Sequence, residues 1–425
     1  MATQEAYPLD VEGIREDFPI LRRRVGGDVT DPGEGEGDTD PLVYLDNGAT
    51  SQTPKQVVEA TVDYYYGYNA NVHRGIHSLS QEASVAYEAA HDRVAEFVGA
   101  DGREEIVFTK NTTESCNLVA YAWGLAELSP GDNVVLTEME HHASLVTWQQ
   151  VADRTGAEVR YVRVDDEGRL DMDHARDLVD EDTRMVSTVH ISNALGTVNP
   201  VGELTDIAHD RDALMFVDAA QSVPTRPVDV GDIGADFLAF SAHKMLGPTG
   251  IGVLYGREAV LEGMQPYLYG GEMIRKVTFE DSTWENLPWK FEAGTPSIAE
   301  AVGLHAAIDY LEDIGMETVE RHESLLAEYA YDRLTAIDDV EVYGPPGDDR
   351  GGLVSFNLSG VHAHDLSSIL NDHAVAVRAG DHCTQPLHDK LGVPASTRAS
   401  FYVYNTREEV DALVDAVDEA RKLFA

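Results

Sequence analysis

In Phe240-Ser241-Ala242-His243-Lys244-Met245-Leu246-Gly247-Pro248 a lysine closes a hydrophobic run just before a Gly-Pro turn. Upstream, Leu214-Met215-Phe216-Val217 ends in Asp218-Ala219-Ala220-Gln221, so an acid and an amine cap two apolar runs at the same end. Such a pair suits pyridoxal phosphate. The cofactor's aldehyde needs an amine for a Schiff base, and its ring nitrogen needs a carboxylate to stay protonated and withdraw electrons. A strand-end lysine taken alone is more often a solvated charge, so the reading rests on what else gathers around it.

Several other residues carry matching chemistry. Asn111-Thr112-Thr113-Glu114 precedes a helical run over 115–125. The hydroxyls and free N–H groups of a helix start favour a phosphate, although the same pattern also serves as a plain N-cap. Ser241 and His243, beside the lysine, are further phosphate donors. His141 and His142 lack a third group at ligand spacing, so no metal site is expected, and the flat imidazole of His141 is suited to lie on a pyridine ring.

Cys383 falls in Arg378-Ala379-Gly380-Asp381-His382-Cys383-Thr384-Gln385-Pro386, a Gly- and Pro-bounded loop where a thiol beside a histidine is a candidate nucleophile. Cys116, inside the first turns after Thr113, reads as a small buried hydrophobe. Arg398 offers a fork for a carboxylate, with a surface ion pair as the alternative.

These residues need a scaffold that brings them to one edge. Short apolar runs at 105–109, 133–136, 159–162, 185–189, 215–217 and 237–240 alternate with amphipathic stretches, the pattern of a largely parallel sheet wrapped by helices. In such sheets ligands bind beyond the strands' carboxyl ends, where Thr113, His141, Asn193, Asp218, Gln221 and Lys244 would meet. Helices are expected over 298–314, 317–336 and 364–372, and strands over 352–356, 374–377 and 401–404, the last just after Arg398. That change of pattern from about residue 297 suggests a second, smaller domain. The Gly- and acid-rich stretch 26–40 is expected to be a mobile surface loop.

The net charge of −45 arises from 76 acidic against 31 basic residues spread along the chain, with only seven lysines. This points to a cytoplasm rich in salt and argues against nucleic acid as a partner. No run approaches the ~18 apolar residues of a membrane helix, and the start does not read as a signal peptide. Two distant cysteines make no disulfide framework. A cytoplasmic location is expected, with no membrane association.

With these pieces in order, the chain resembles the SUF-type (group II) cysteine desulfurases of the class V aminotransferase superfamily. The resemblance runs from Tyr44-Leu45-Asp46-Asn47-Gly48-Ala49 to Tyr404-Asn405-Thr406. It is most specific in Asn71-Val72-His73-Arg74-Gly75-Ile76-His77, Glu138-Met139-Glu140-His141-His142-Ala143-Ser144, Phe291-Glu292-Ala293-Gly294-Thr295-Pro296 and the lysine and cysteine motifs above. It implies an α/β protein of the pyridoxal phosphate-dependent transferase fold type I. A large domain over 36–296, with a mostly parallel seven-stranded sheet, would be joined by a smaller α+β domain from 1–35 and 297–425.

It further implies Lys244 as the Schiff-base lysine, Asp218 on the ring nitrogen, Gln221 on the phenolic oxygen and His141 stacked on the ring. Thr112, Thr113, Ser241 and His243 would hold the phosphate, with Thr295 from the other subunit of a homodimer. Asn193 and Arg398 would bind the carboxylate of L-cysteine, His73 and Arg74 would flank the entrance, and Cys383 would take the sulfur. An acceptor protein or iron–sulfur scaffold would receive it. Selenocysteine lyase and class V aminotransferase activities are the alternatives on the same scaffold. At Asp381 the group commonly has a histidine or tyrosine, and a carboxylate so near Cys383 is expected to oppose its thiolate. The 26–40 insertion is extra to the family pattern.

Overall fold

The computed structural model describes residues 9–25 and 40–424; most of the 26–40 insertion therefore lies outside the described residues. Its centre is a seven-stranded sheet of β1 (Ile106–Thr109), β2 (Asn133–Thr137), β3 (Glu158–Val162), β4 (Thr183–Val189), β5 (Leu214–Asp218), β6 (Phe237–Ser241) and β7 (Gly252–Gly256). In space they run β1-β7-β6-β5-β4-β2-β3. Only β7 is antiparallel to its neighbours.

Alternation along each strand explains why the sheet is buried on both faces. Met215, Val217, Leu238 and Phe240 join one apolar cluster, whereas Phe216, Phe237 and Ala239 join the other. Successive side chains of a strand point to opposite faces, so a run apolar at every position can be satisfied only between two layers of helices. The six strands expected from sequence all form; β7 is the one that reading lacked. Its apolar stretch is short and glycine-bounded, and it follows the Lys244 turn with no helical crossover to announce it.

β7 also aligns the edge that carries Asn111 and Ser241. Gly252 pairs with Thr109 of β1 on one side and with Ser241 of β6 on the other. A Cβ on Gly252 would sit 2.5 Å from the Asn111 Cα, so only glycine lets the turn after β1 close over the strand. On the parallel side Val189 of β4 lies opposite Asp218, and Asp218 opposite Ala239.

The later part of the chain builds a second sheet, β8 (Val340–Tyr343), β9 (Leu353–Leu358), β10 (Arg378–Gly380) and β11 (Ser396–Ser400), in the order β8-β9-β11-β10 and antiparallel throughout. Val354, Phe356 and Leu358 pack there with Leu326 and Leu334 of the Met316–Thr335 helix and Leu413 and Val417 of the Arg407–Phe424 helix. The long helix expected over 298–314 is Ile298–Ile314. Two strand expectations shift. The segment 401–404 is not a strand; the strand is the polar Ser396–Ser400, all of it buried, so Arg398 lies mid-strand. The 374–377 run shortens to Val375–Ala376, paired in parallel with Val43–Tyr44.

Candidate functional site

A pocket of about 270 Å³ opens at the carboxyl edge of the large sheet, against β10 and β11. β5 brings in Asp218, 3% exposed, whose Oδ1 accepts the Ala220 N–H at 3.0 Å. Burial pushes this carboxyl above the usual range, while Lys244 pulls it back. Lys244, on the turn after β6, is itself lowered to about 8 by burial, with Asp218 the main opposing influence. A buried acid and amine that restrain each other's neutralisation are what a cationic ring nitrogen and an amine-linked aldehyde require.

The helix Thr112–Val119 starts at the same edge. Asn111 caps it by accepting the Glu114 N–H at 3.0 Å, and the Ser241 hydroxyl accepts the Thr112 N–H at 2.8 Å and lies 2.7 Å from the Thr112 hydroxyl. The turn is thus an N-cap, and Thr112, Thr113 and Ser241 also line the pocket. His243 joins them, lowered to about 4 by burial and then by Lys244.

His141 caps the helix His142–Thr155, its Nδ1 accepting the Ala143 N–H at 3.0 Å. Nδ1 being an acceptor, the proton of the neutral ring resides on Nε2. Burial lowers His141 to about 4, with Lys244 adding to the effect, so a flat, uncharged imidazole faces the pocket near neutral pH.

Gln221 donates to the Gly48 carbonyl at 2.8 Å and Asn193 donates to the His382 carbonyl at 2.6 Å. Each amide has a second N–H left for a ligand. Arg398 is 2% exposed; its Nη1 donates to the Asn193 carbonyl at 2.7 Å and its Nη2 lies 3.6 Å from Asp46. Its Nε is buried without a partner, and burial lowers the group to about 10. A guanidinium kept partly unsatisfied in a pocket has a donor free for an anionic ligand. The surface ion-pair alternative for Arg398 does not apply.

Cys383 is exposed and lines the same pocket. His382 and Cys383 both adopt left-handed backbone, φ 49° and 58°. The Asp381 carboxylate accepts the Cys383 backbone N–H at 2.9 Å, so its evident task is to shape the loop. Cys116 is buried and its thiol is pushed well above the ordinary range by burial.

Three expected residues are not in this pocket. His73 packs on Trp289, with ring centroids 4.4 Å apart, and Arg74 lies 3.2 Å from Glu272; the two share a separate surface depression. Thr295 is exposed. His73 and Arg74 are held on the outer surface by Trp289 and Glu272.

Sequence reasoning gave no role to Arg378 or to the Asp46 it holds, although it placed Glu140 at this edge. Arg378 lines the pocket and grips Asp46 with three hydrogen bonds, Nε to both carboxylate oxygens at 3.0 and 3.2 Å and Nη2 to one at 2.7 Å. Their signal was the position of each inside a quoted motif. Glu140, buried directly before His141, accepts from the Thr137 hydroxyl at 2.6 Å and the Val189 N–H at 3.1 Å, and its Oε2 has no partner. Burial raises it to about 8.

Residues 43–413 match the family model described as Aminotransferase class-V. The chain is 76% identical to a cysteine desulfurase of Haloferax volcanii and 68% identical to a probable cysteine desulfurase of Halobacterium salinarum, each match covering all of both chains. The apo structure of a cysteine desulfurase from Thermococcus onnurineus NA1 superposes with a TM-score of 0.90 at 43% identity, over 99% of this chain and all of that one.

Proposed function

The chain belongs to the class-V aminotransferase family, and from that premise we infer that the pocket between its two sheets carries out cysteine desulfuration. The protein is a pyridoxal phosphate-dependent cysteine desulfurase of fold type I that converts L-cysteine to L-alanine. The observation that carries the site assignment is the exposed Cys383 thiol in the same pocket as buried Lys244 and Asp218. An aminotransferase has no use for that thiol.

The residues present fit the cofactor: a buried acid, a buried amine and a hydroxyl-lined helix start share one pocket. When bound, it supplies an electron sink that stabilises negative charge at the substrate's α-carbon. Asp218 would keep the ring nitrogen charged and Gln221 would donate to the phenolic oxygen, while Thr112, Thr113, Ser241 and His243 would hold the phosphate. A neutral His141 can lie against a cationic ring without charge repulsion.

Arg398 and Asn193 orient the substrate by its carboxylate. Lys244 Nζ, with a pKa of about 8, can take the α-proton near neutral pH and return it. The Cys383 thiolate then attacks the substrate sulfur. A sulfur–sulfur bond forms as the Cβ–sulfur bond breaks, the electron pair returns to the three-carbon fragment, and that fragment takes up protons and leaves as alanine. The sulfur stays on the enzyme as a persulfide for an acceptor protein, which we propose serves iron–sulfur cluster assembly in the cytoplasm.

Thr295, His73 and Arg74 are proposed to act across a homodimer. Support comes from their exposure and from unpartnered apolar side chains such as Ile76, 94% exposed, and Phe279, fully exposed. The division into 36–296 and a smaller part from 1–35 and 297–425 is likewise proposed, supported by the apolar cluster of the second sheet, which apart from Leu45 draws its buried residues from 326–420, although the helix Ile298–Ile314 packs with the core of the large sheet. Among the described residues no helix is long and apolar enough to cross a membrane.

The test supplies L-cysteine and cofactor, then measures alanine and the mass of the Cys383 peptide before and after a reductant. Alanine with a reducible gain of one sulfur is expected. Alanine without it would remove Cys383 from the reaction.

A further inference from the structure

The Cys383 loop holds two successive left-handed residues, His382 and Cys383, a conformation that persists only where surrounding contacts over-determine it. Two of the contacts come from groups already accounted for: the Asp381 carboxylate on the Cys383 N–H, and the Asn193 amide on the His382 carbonyl. Two more come from a single residue with no part in the chemistry above. The His142 N–H donates to the Cys383 carbonyl at 2.8 Å, and its Nε2 accepts the Gln385 N–H at 3.1 Å. His142 thus straddles the thiol, bound to the chain at the cysteine and two residues beyond it.

We propose that His142 is the positioning residue of the nucleophile. The inference rests on the reading of Cys383 as the group that takes the sulfur. His142 is the first residue of the helix that His141 caps. The residue lying in the pocket and the residue gripping the thiol loop are therefore adjacent on one rigid helix end, and the position of the sulfur is referenced to that end. As an acceptor, Nε2 presents its lone pair to the Gln385 N–H. The backbone bond to Cys383 survives any substitution at 142 except proline; the side chain's share is the Gln385 anchor, which an amide oxygen can replace and an alkyl group cannot.

The experiment compares His142→Leu with His142→Gln in the cofactor-loaded enzyme. It measures kcat and KM for L-cysteine, hydrogen exchange at the Gln385 amide, and the cofactor's absorbance response to cysteine. For His142→Leu the expected result is kcat down about tenfold, KM within about twofold, a normal absorbance response and Gln385 exchange at least about tenfold faster. His142→Gln should restore both kcat and exchange. A His142→Leu enzyme with native kcat, or a His142→Gln enzyme with native exchange yet the kcat of the leucine variant, overturns the proposal. Cys383→Ser run in parallel separates the failures. If it still turns over, the reading of Cys383 is wrong; if it is dead while His142→Leu is native, only the positioning role is wrong.

Discussion

Lys244 and Asp218 are charged groups that the fold holds away from water, and each moves toward neutrality as a result. Borohydride should therefore fix the cofactor on Lys244, and Lys244→Ala should lose about 10²–10⁴-fold in alanine formation; an adduct mapped to another lysine would refute the assignment. Cys383→Ser should still load cofactor and give the absorbance response to L-cysteine, yet make almost no alanine. Cys116→Ser should work normally, because Cys116 is buried and its thiol is held protonated. A persulfide recovered on Cys116 would contradict this. Glu140 supports a pH prediction. Its folded pKa, about 8, lies above the ordinary 4.5, so the folded state keeps a proton that the unfolded chain releases. That contribution is full below about 4.5 and is lost as pH rises toward 8. Glu140→Gln cannot ionise, so its melting midpoint should gain on the wild type progressively across that interval; a constant difference would show that Glu140 is not held neutral.

At the scale of elements, the site depends on β7, the strand that pattern reading lacked. Gly252 lets the Asn111–Thr113 turn close onto Ser241, and Gly252→Ala would drive a Cβ to 2.5 Å from the Asn111 Cα. We expect a loss of about 1–3 kcal/mol in stability together with weaker cofactor retention, measured by denaturant unfolding and by cofactor titration. Unchanged cofactor affinity would mean that this turn does not hold the phosphate. The strands with long apolar runs were legible because alternation between two buried faces leaves a dense signal. Ser396–Ser400 was not legible: its Ser-Thr-Arg-Ala-Ser composition resembles a loop, and its burial comes from pairing with β9 and β10 and from lining the pocket.

For the whole molecule, a charge of −45 is the dominant long-range term. Arginine pairs such as Arg103 with Glu88 and Asp92, or Arg93 with Asp309 and Glu312, neutralise part of the surface. The excess acid remains. Screening shortens from about 10 Å at 0.1 M salt to about 3 Å at 1 M, so the unfolding midpoint should fall as salt is diluted from molar to about 0.1 M. Equal stability and activity at both would remove the high-salt reading and favour a specific acidic interface.

The amino-acid order alone determined the α/β class and the alternation of buried strands, and singled out Lys244, Asp218, His141 and Cys383 as candidates that share one pocket, because apolar periodicity and motif chemistry are local properties. Only the tertiary structure decided that Arg398 lies within a buried strand, that Arg378 and Asp46 form one charge cluster with it, and that Asp381 is spent on the Cys383 backbone. It also showed that His73, Arg74 and Thr295 lie outside their own chain's pocket. The physical reason is that burial and hydrogen-bond partners depend on which distant segments meet. Asp46 and Arg398 are more than three hundred residues apart in sequence, and no local pattern records that they come within ion-pair distance of each other.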